Sequence, residues 1–303
     1  MRSQLPRYQS VVADSARWDG FVFRGDDILI SAPIKCGTTW IQMICGLLIF
    51  RQQRFPATLD LVSPWLDMLT RPLPEVVRDL DAQQHRRFIK SHTPLDGLPF
   101  DDRVTYICIG RDPRDVALSF GNHMANMNVE TFHLARYMAV GLHDFTGLTE
   151  NLVRGISEHE QFWQWVDAPM SPGLRTMIHH LSTFWEVRER PNVILVHYND
   201  LKADLEGQMR ELARRLRLNV SERLWPELVR AATFEEMRRR ADEIVPNSTE
   251  ALWYDNARFF HKGTSGQWRS LLDDKDLRRY RARILELAHP ELAAWMHQGP
   301  IAD

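Results

Sequence analysis

Four short stretches of this 303-residue chain gather residues that can hold an anion or move a proton. The first is Lys35-Cys36-Gly37-Thr38-Thr39-Trp40. Gly37 lets the backbone approach an anion closely, Thr38 and Thr39 add hydroxyl donors, and Lys35 adds a positive charge on a long stem. A helix beginning near Thr38 would complete a phosphate cradle with its free N–H groups and its dipole. The order is not that of a Walker A loop, because the Lys precedes the Gly, and this disfavours a kinase or ATPase. The second stretch is Lys90-Ser91-His92-Thr93-Pro94. Alternation puts Lys90 and His92 on one face of a strand end. His92 suits a general base, and a neighbouring ammonium favours its neutral form. The third runs from Gly110 to Ser119. Arg111 stands at a helix start and Ser119 lies eight residues on, about two turns. Together they suit a phosphate monoester. The fourth, Phe259 to Trp268, carries Lys262, two glycines and three aromatic residues, as a lid over a nucleotide would. Taken singly, each stretch also has a plainer reading: a capping Thr, a turn histidine, an exposed Arg–Asp pair, a solvated Lys.

The elements that position these groups follow from the apolar pattern. Ile28-Leu29-Ile30, Phe88-Ile89, Val104 to Ile109 and Val193 to Val196 read as buried parallel strands. Trp40, Met43, Ile44, Leu47 and Leu48 fall on a helical period, and apolar Ile41, Cys45 and Ile49 between them predict a helix buried on most sides. Asp112 as cap, Pro113 at the first position and Asp115 in the first turn predict a helix after the third strand. Asp200 precedes a long helix through Leu216, and helical patterns cover Ser157 to Val166, Leu174 to Arg188, Glu222 to Arg240 and Asp276 to His289. Ala251 to Gln267 reads as a functional loop. The predicted class is α/β: one P-loop-like domain over residues 1–303, with a central, mostly parallel sheet flanked by helices. Ligands in such sheets sit at the carboxyl ends of the strands, where the first three stretches above fall.

Composition narrows the partners. Lys plus Arg total 38 against 40 Asp plus Glu, a net charge of −2, which argues against a nucleic-acid coat protein. No apolar run reaches the ~20 residues of a membrane helix, and Met1 to Asp19 lacks the apolar core of a signal peptide. Three cysteines, Cys36, Cys45 and Cys108, do not make a disulfide framework, so a reduced, cytoplasmic setting is expected. Nothing has the spacing of metal ligands.

In this order, the stretches resemble the cytosolic-type sulfotransferases that use 3′-phosphoadenosine-5′-phosphosulfate (PAPS), and among them the actinobacterial members called glycolipid sulfotransferases. Lys35 to Trp40 resembles the family's Lys-Ser-Gly-Thr-Thr-Trp loop for the 5′-phosphosulfate. Lys90-Ser91-His92 resembles its Lys-Thr-His segment with the catalytic base. Arg111 and Ser119 match its pair on the 3′-phosphate. Tyr198 matches a Tyr near the adenine, and Thr233-Phe234 with Met237 resembles the adenine-side Thr-x-Phe region. Phe260, His261, Lys262 and Gly263 open a segment similar to its Arg-Lys-Gly-x-x-Gly-Asp-Trp lid. The resemblance spans about Asp27 to Trp268.

It implies transfer of the sulfonyl group of PAPS to an acceptor hydroxyl, releasing adenosine 3′,5′-bisphosphate (PAP), with no metal. His92 would take the acceptor proton, Lys35 would stabilise the departing bridging oxygen, and Lys90 would contact the sulfonyl group. Ser119 would hold the 3′-phosphate and restrain Lys35 until the acceptor arrives. Departures are Cys36 for Ser, which adds an oxidisable group, Ile34 for Pro, His261 for the lid Arg (Arg258 being a candidate substitute) and Gln267 for Asp. The family's dimer motif is not recognisable in Arg269 to Arg278, which leaves a homodimer open and its interface unassigned. A nucleotide kinase and a non-catalytic PAP-binding protein are the competing readings. For the acceptor, a phenol, a lipid alcohol or a glycolipid, candidate wall residues are Met124, Met127, Phe132, Tyr137, Phe145, Phe162, Trp163 and Trp165. Each also reads as helical core.

Overall fold

The computed structural model describes residues 5–141, 155–170, 172–246 and 251–298. Four parallel strands form one sheet: β1 (Ile28–Ser31), β2 (Phe88–Ser91), β3 (Thr105–Gly110) and β4 (Val193–His197), in the spatial order β2-β1-β3-β4. Ile28 lies opposite both Phe88 and Thr105, and Gly110 lies opposite His197. β1 and β2 are buried along their whole length, and β3 and β4 nearly so, because helices cover both faces. This is why the strands read as unbroken apolar runs rather than as alternation. The chain leaves β1 for one neighbour and later returns to its other side as β3. The carboxyl ends of β1 and β3 therefore flank the point where strand order reverses, which is where open α/β sheets form a crevice.

The helix Thr38–Phe50 leaves that crevice and is buried from Thr38 to Leu48 apart from Thr39, as its apolar residues on nearly every side require. The helix Pro113–Asn126 starts as expected, with the Asp112 carboxylate accepting from the Arg114 N–H at 2.9 Å and Pro113 in the first turn. At the opposite ends of β1 and β2, Arg87 and Asp27 form a fully buried pair, the guanidinium donating through Nε to Asp27 Oδ1 at 2.8 Å. Two-point recognition of this kind offsets much of the cost of burying both charges.

Three expected helices differ in detail. The helix expected after Asp200 is two, Tyr198–Ala203 and Leu205–Arg215, because Asp204 caps the second through the Gly207 N–H. The pattern from Glu222 to Arg240 is broken in the same way. Thr233 ends Trp225–Ala231 and caps Phe234–Arg239, accepting from the Glu236 N–H at 3.3 Å. In both places a side-chain cap outcompetes continued helical hydrogen bonding. The last expected helix spans Asp274–Leu287, opened by a capping box from Asp273 and Asp276, and Pro290 starts another, Pro290–His297. Ala251 to Gln267 is loop apart from one turn of helix, Asn256–Phe259. Among the described residues, no helix is long and apolar enough to cross a membrane.

Candidate active site

The loop after β1 is shaped by backbone conformation. Lys35 and Gly37 both lie in the left-handed region, at φ 68° and 118°. A Cβ on Gly37 would meet Ile109 Cδ1 at 2.9 Å and the Tyr198 ring at 3.0 Å, so only glycine fits. Gly37 caps the helix without a side chain, so the first N–H groups of Thr38–Phe50 have no side-chain cap. The Thr38 hydroxyl is buried and has no hydrogen-bond partner among the described residues. An unpaired buried hydroxyl at a helix N-terminus is where an anionic oxygen would be welcome.

Three cations converge on this loop, and none makes an ion pair among the described residues. Arg111 follows β3 and is 7% exposed. It donates to the Lys35 carbonyl at 3.4 Å and to the Thr264 carbonyl at 3.2 Å, stacks 4.2 Å above the Tyr198 ring, and keeps its Nε unpaired. Lys35 has its pKa pushed down to about 7 by burial, then by Arg111 and Lys90. Lys90, at the end of β2, lies 4.3 Å over the Trp65 ring. Burial lowers its pKa to about 8 against the opposing pull of Asp67 and Asp60. Cations without a direct ion pair in a low-dielectric crevice favour a polyanion there.

His92 is set beside them with its tautomer fixed. Its Nδ1–H donates to the Ala32 carbonyl at 2.5 Å, which leaves Nε2 as the basic nitrogen. Burial, and next the Lys90 charge, hold the imidazole well below its ordinary pKa, so it is neutral at pH 7. The ring meets the edge of Trp65, with centroids 4.7 Å apart. The segment carrying it is anchored by Asp67, a buried carboxylate that accepts from Ser91 Oγ at 2.7 Å and Thr93 Oγ1 at 2.6 Å. Ser31 Oγ donates to the Thr93 carbonyl at 2.5 Å, and His180 lies 3.3 Å from the same hydroxyl.

The late loop closes over the crevice from the other side. The Gly266 N–H donates to the Asp115 carboxylate at 2.8 Å, and Ser265 donates to Asn199 at 2.7 Å. Trp268 lies 3.6 Å under the Arg114 guanidinium. Gly263, at φ 65°, sits against the Phe234 ring, where a Cβ would clash at 2.5 Å, and Phe234 meets Phe260 edge-on. This places Thr233, Phe234, Phe260 and Gly263 in one cluster. His261 is half-buried and its pKa is lowered by burial and by Lys262, so it is a weaker source of positive charge than the arginine it replaces. Lys262 and Arg258 are exposed. Trp40 donates through Nε1 to the Ala232 carbonyl at 2.8 Å and packs edge-on against Tyr198, joining the first loop to the Thr233 region.

Several sequence expectations change in the structure. The Cys36 side chain is fully buried in the core, where burial pushes its thiol up to about 12. It is therefore inert rather than oxidisable, and only its backbone belongs to the loop. Lys35 Nζ does not hydrogen-bond Ser119; it lies 3.4 Å from His123 Nδ1 and 4.6 Å from the Phe259 ring centre. Among the proposed wall residues, Phe162, Trp163 and Trp165 are core, while Met127 and Phe132 form a small cluster with Leu252. Tyr137 is 45% exposed, and Phe145 lies outside the described residues. The aromatic wall near Lys35 and His92 is instead Trp65, His123, Trp253 and Phe259, with His123 centred 4.7 Å from Trp253. Sequence reasoning missed His123, although its place one turn beyond Ser119 on the helix of the third stretch puts it on the same face. Trp65 carries no such signal; it reaches Lys90 by a single bridge from a distant segment.

A parallel sheet with an anion cradle at its switch point, and a neutral histidine beside the cradle, defines a P-loop-like group transferase. The chain belongs to the sulfotransferase family: the family's sulfotransferase domain matches residues 25–296. It is 44% identical to a glycolipid sulfotransferase of Mycobacterium bovis over 307 aligned positions, which cover 96% of this chain and 94% of that protein. It is 25% identical to human sulfotransferase 1E1 over 285 positions, covering 89% and 88%. The fold is shared with a mouse sulfotransferase solved in complex with PAP, at a TM-score of 0.68, 18% identity and 98% coverage of both chains.

Proposed function

We propose that this protein transfers the sulfonyl group of PAPS to a hydroxyl of a glycolipid. The observation that carries this reading is the set of cations without a direct ion pair among the described residues, Lys35, Lys90 and Arg111, at a helix N-terminus beside a neutral His92. Thr38, Thr39 and the loop N–H groups hold the 5′-phosphate. Arg111 and Ser119 hold the 3′-phosphate, Tyr198, Thr233 and Phe234 flank the adenine, and Lys262 and Gly263 close the lid. The reaction is an in-line displacement at sulfur. His92 Nε2 takes the acceptor proton as the new O–S bond forms, the bond from sulfur to the bridging oxygen breaks, and Lys35 meets the charge that develops there. Lys90 offsets charge on the sulfonyl oxygens. The glycolipid assignment is supported by the relatives at 44% identity and by the flat rings of Trp65, Trp253 and Phe259 along the approach, which suit a sugar face or a lipid stem.

The test is transfer of radiolabelled sulfonyl from PAPS to separate glycolipid, phenol and lipid-alcohol acceptors. Labelled glycolipid in excess of the other products is expected. Labelled phenol alone would overturn the acceptor assignment, and PAP release without any labelled acceptor would overturn the transfer.

A further inference from the structure

Lys35 is anchored at its backbone and free at its head. Its carbonyl accepts from Arg111, yet its ammonium meets no carboxylate among the described residues. The protein acceptor that it does meet is His123 Nδ1, at 3.4 Å. His123 is itself held in place, its ring packed between Trp253 and Phe259 at centroid distances of 4.7 and 5.6 Å. Burial, then Lys35, Lys90 and His92, keep this imidazole neutral. A neutral ring can accept from an ammonium, whereas an imidazolium would repel it.

We propose that His123 is a positioning residue for Lys35, its neutral imidazole accepting from the ammonium and holding it on the acceptor side of the loop until an acceptor is present. The hold is exchangeable by design of its chemistry. A carboxylate at residue 123 would pair with Lys35 permanently, but a neutral nitrogen yields to the phosphosulfate anion once acceptor fills the wall beside it. Two consequences follow, of which the second rests on the proposed PAPS reaction. The hydrogen bond favours the charged form of Lys35, opposing burial and the charges of Arg111 and Lys90 that face it. The hold also keeps the ammonium off the bridging oxygen, and so slows transfer to water. In that side reaction, water forms the new O–S bond, the bond to the bridging oxygen breaks, PAP and sulfate leave, and both water protons pass to solvent.

The chain has five lysines, so their ε-carbons can be labelled with ¹³C and assigned one at a time in the full-length protein. His123→Phe keeps a packed ring without the acceptor atom, and His123→Asn places an amide oxygen close to where Nδ1 stands. In ligand-free protein, Lys35 is expected to titrate about one pH unit lower in His123→Phe and near its original value in His123→Asn. Acceptor-free PAPS cleavage should rise about tenfold in His123→Phe and return in His123→Asn. An unchanged Lys35 titration in His123→Phe, or equal shifts in both variants, would overturn the proposal. If the parent protein does not use PAPS, the sulfonyl-transfer reading fails, while the Lys35 titration still decides the His123 assignment.

Discussion

His92→Ala is expected to lower kcat by about 10²–10⁴-fold, the range for losing a general base, while PAP still binds. The reason lies in the tautomer. The Ala32 carbonyl takes the Nδ1 proton, which leaves Nε2 as the nitrogen able to serve as the proposed base. The same geometry sets the pH profile of kcat/KM, which reports the free enzyme. In the proposed role His92 must be neutral, and its pKa lies well below 6.5, so activity should persist to lower pH than an ordinary histidine would allow. The proposed roles of Lys35 and Lys90 require ammonium ions, and their pKa values are about 7 and about 8, so activity should fall as pH rises through that range. Unchanged turnover in His92→Ala would remove this residue from the role.

Arg111→Ala should have the second-largest effect, a loss of about a hundredfold in affinity for nucleotides that bear a 3′-phosphate and much less for those that lack it. Arg111 is buried, stacked on Tyr198 and without a carboxylate partner, so an anion is what completes it. Its contact with the Thr264 carbonyl also ties it to the lid, so the variant should release nucleotide faster. Calorimetry with PAP and with AMP separates the two contributions. Equal losses for both ligands would refute the 3′-phosphate assignment.

The strands and the tight turn at Gly37 were legible in the sequence for physical reasons. Strands buried on both faces leave apolar runs, and a turn at φ 118° pressed against Ile109 and Tyr198 admits only glycine. Helix breaks were harder to read. At Asp204 and Thr233 the helical period continues across the break, and only the capping bond shows that the chain has turned. Parts of the site contributed by distant segments were not legible at all. Trp65 and Asp67 reach the Lys90–His92 strand end from more than twenty residues away, and nothing local marks them. Apolar helical residues were ambiguous between pocket and core. Phe162, Trp163 and Trp165 proved to be core because their helix packs against the helix Pro113–Asn126 rather than facing the crevice.

The most direct test of the account is calorimetric titration of the metal-free protein with PAP, ATP and AMP. Tight binding of PAP and little of ATP or AMP is expected if Lys35, Arg111 and the helix N-terminus hold phosphates at both the 5′ and 3′ positions, as proposed. Binding of ATP without binding of PAP would contradict it and return the site to the kinase reading.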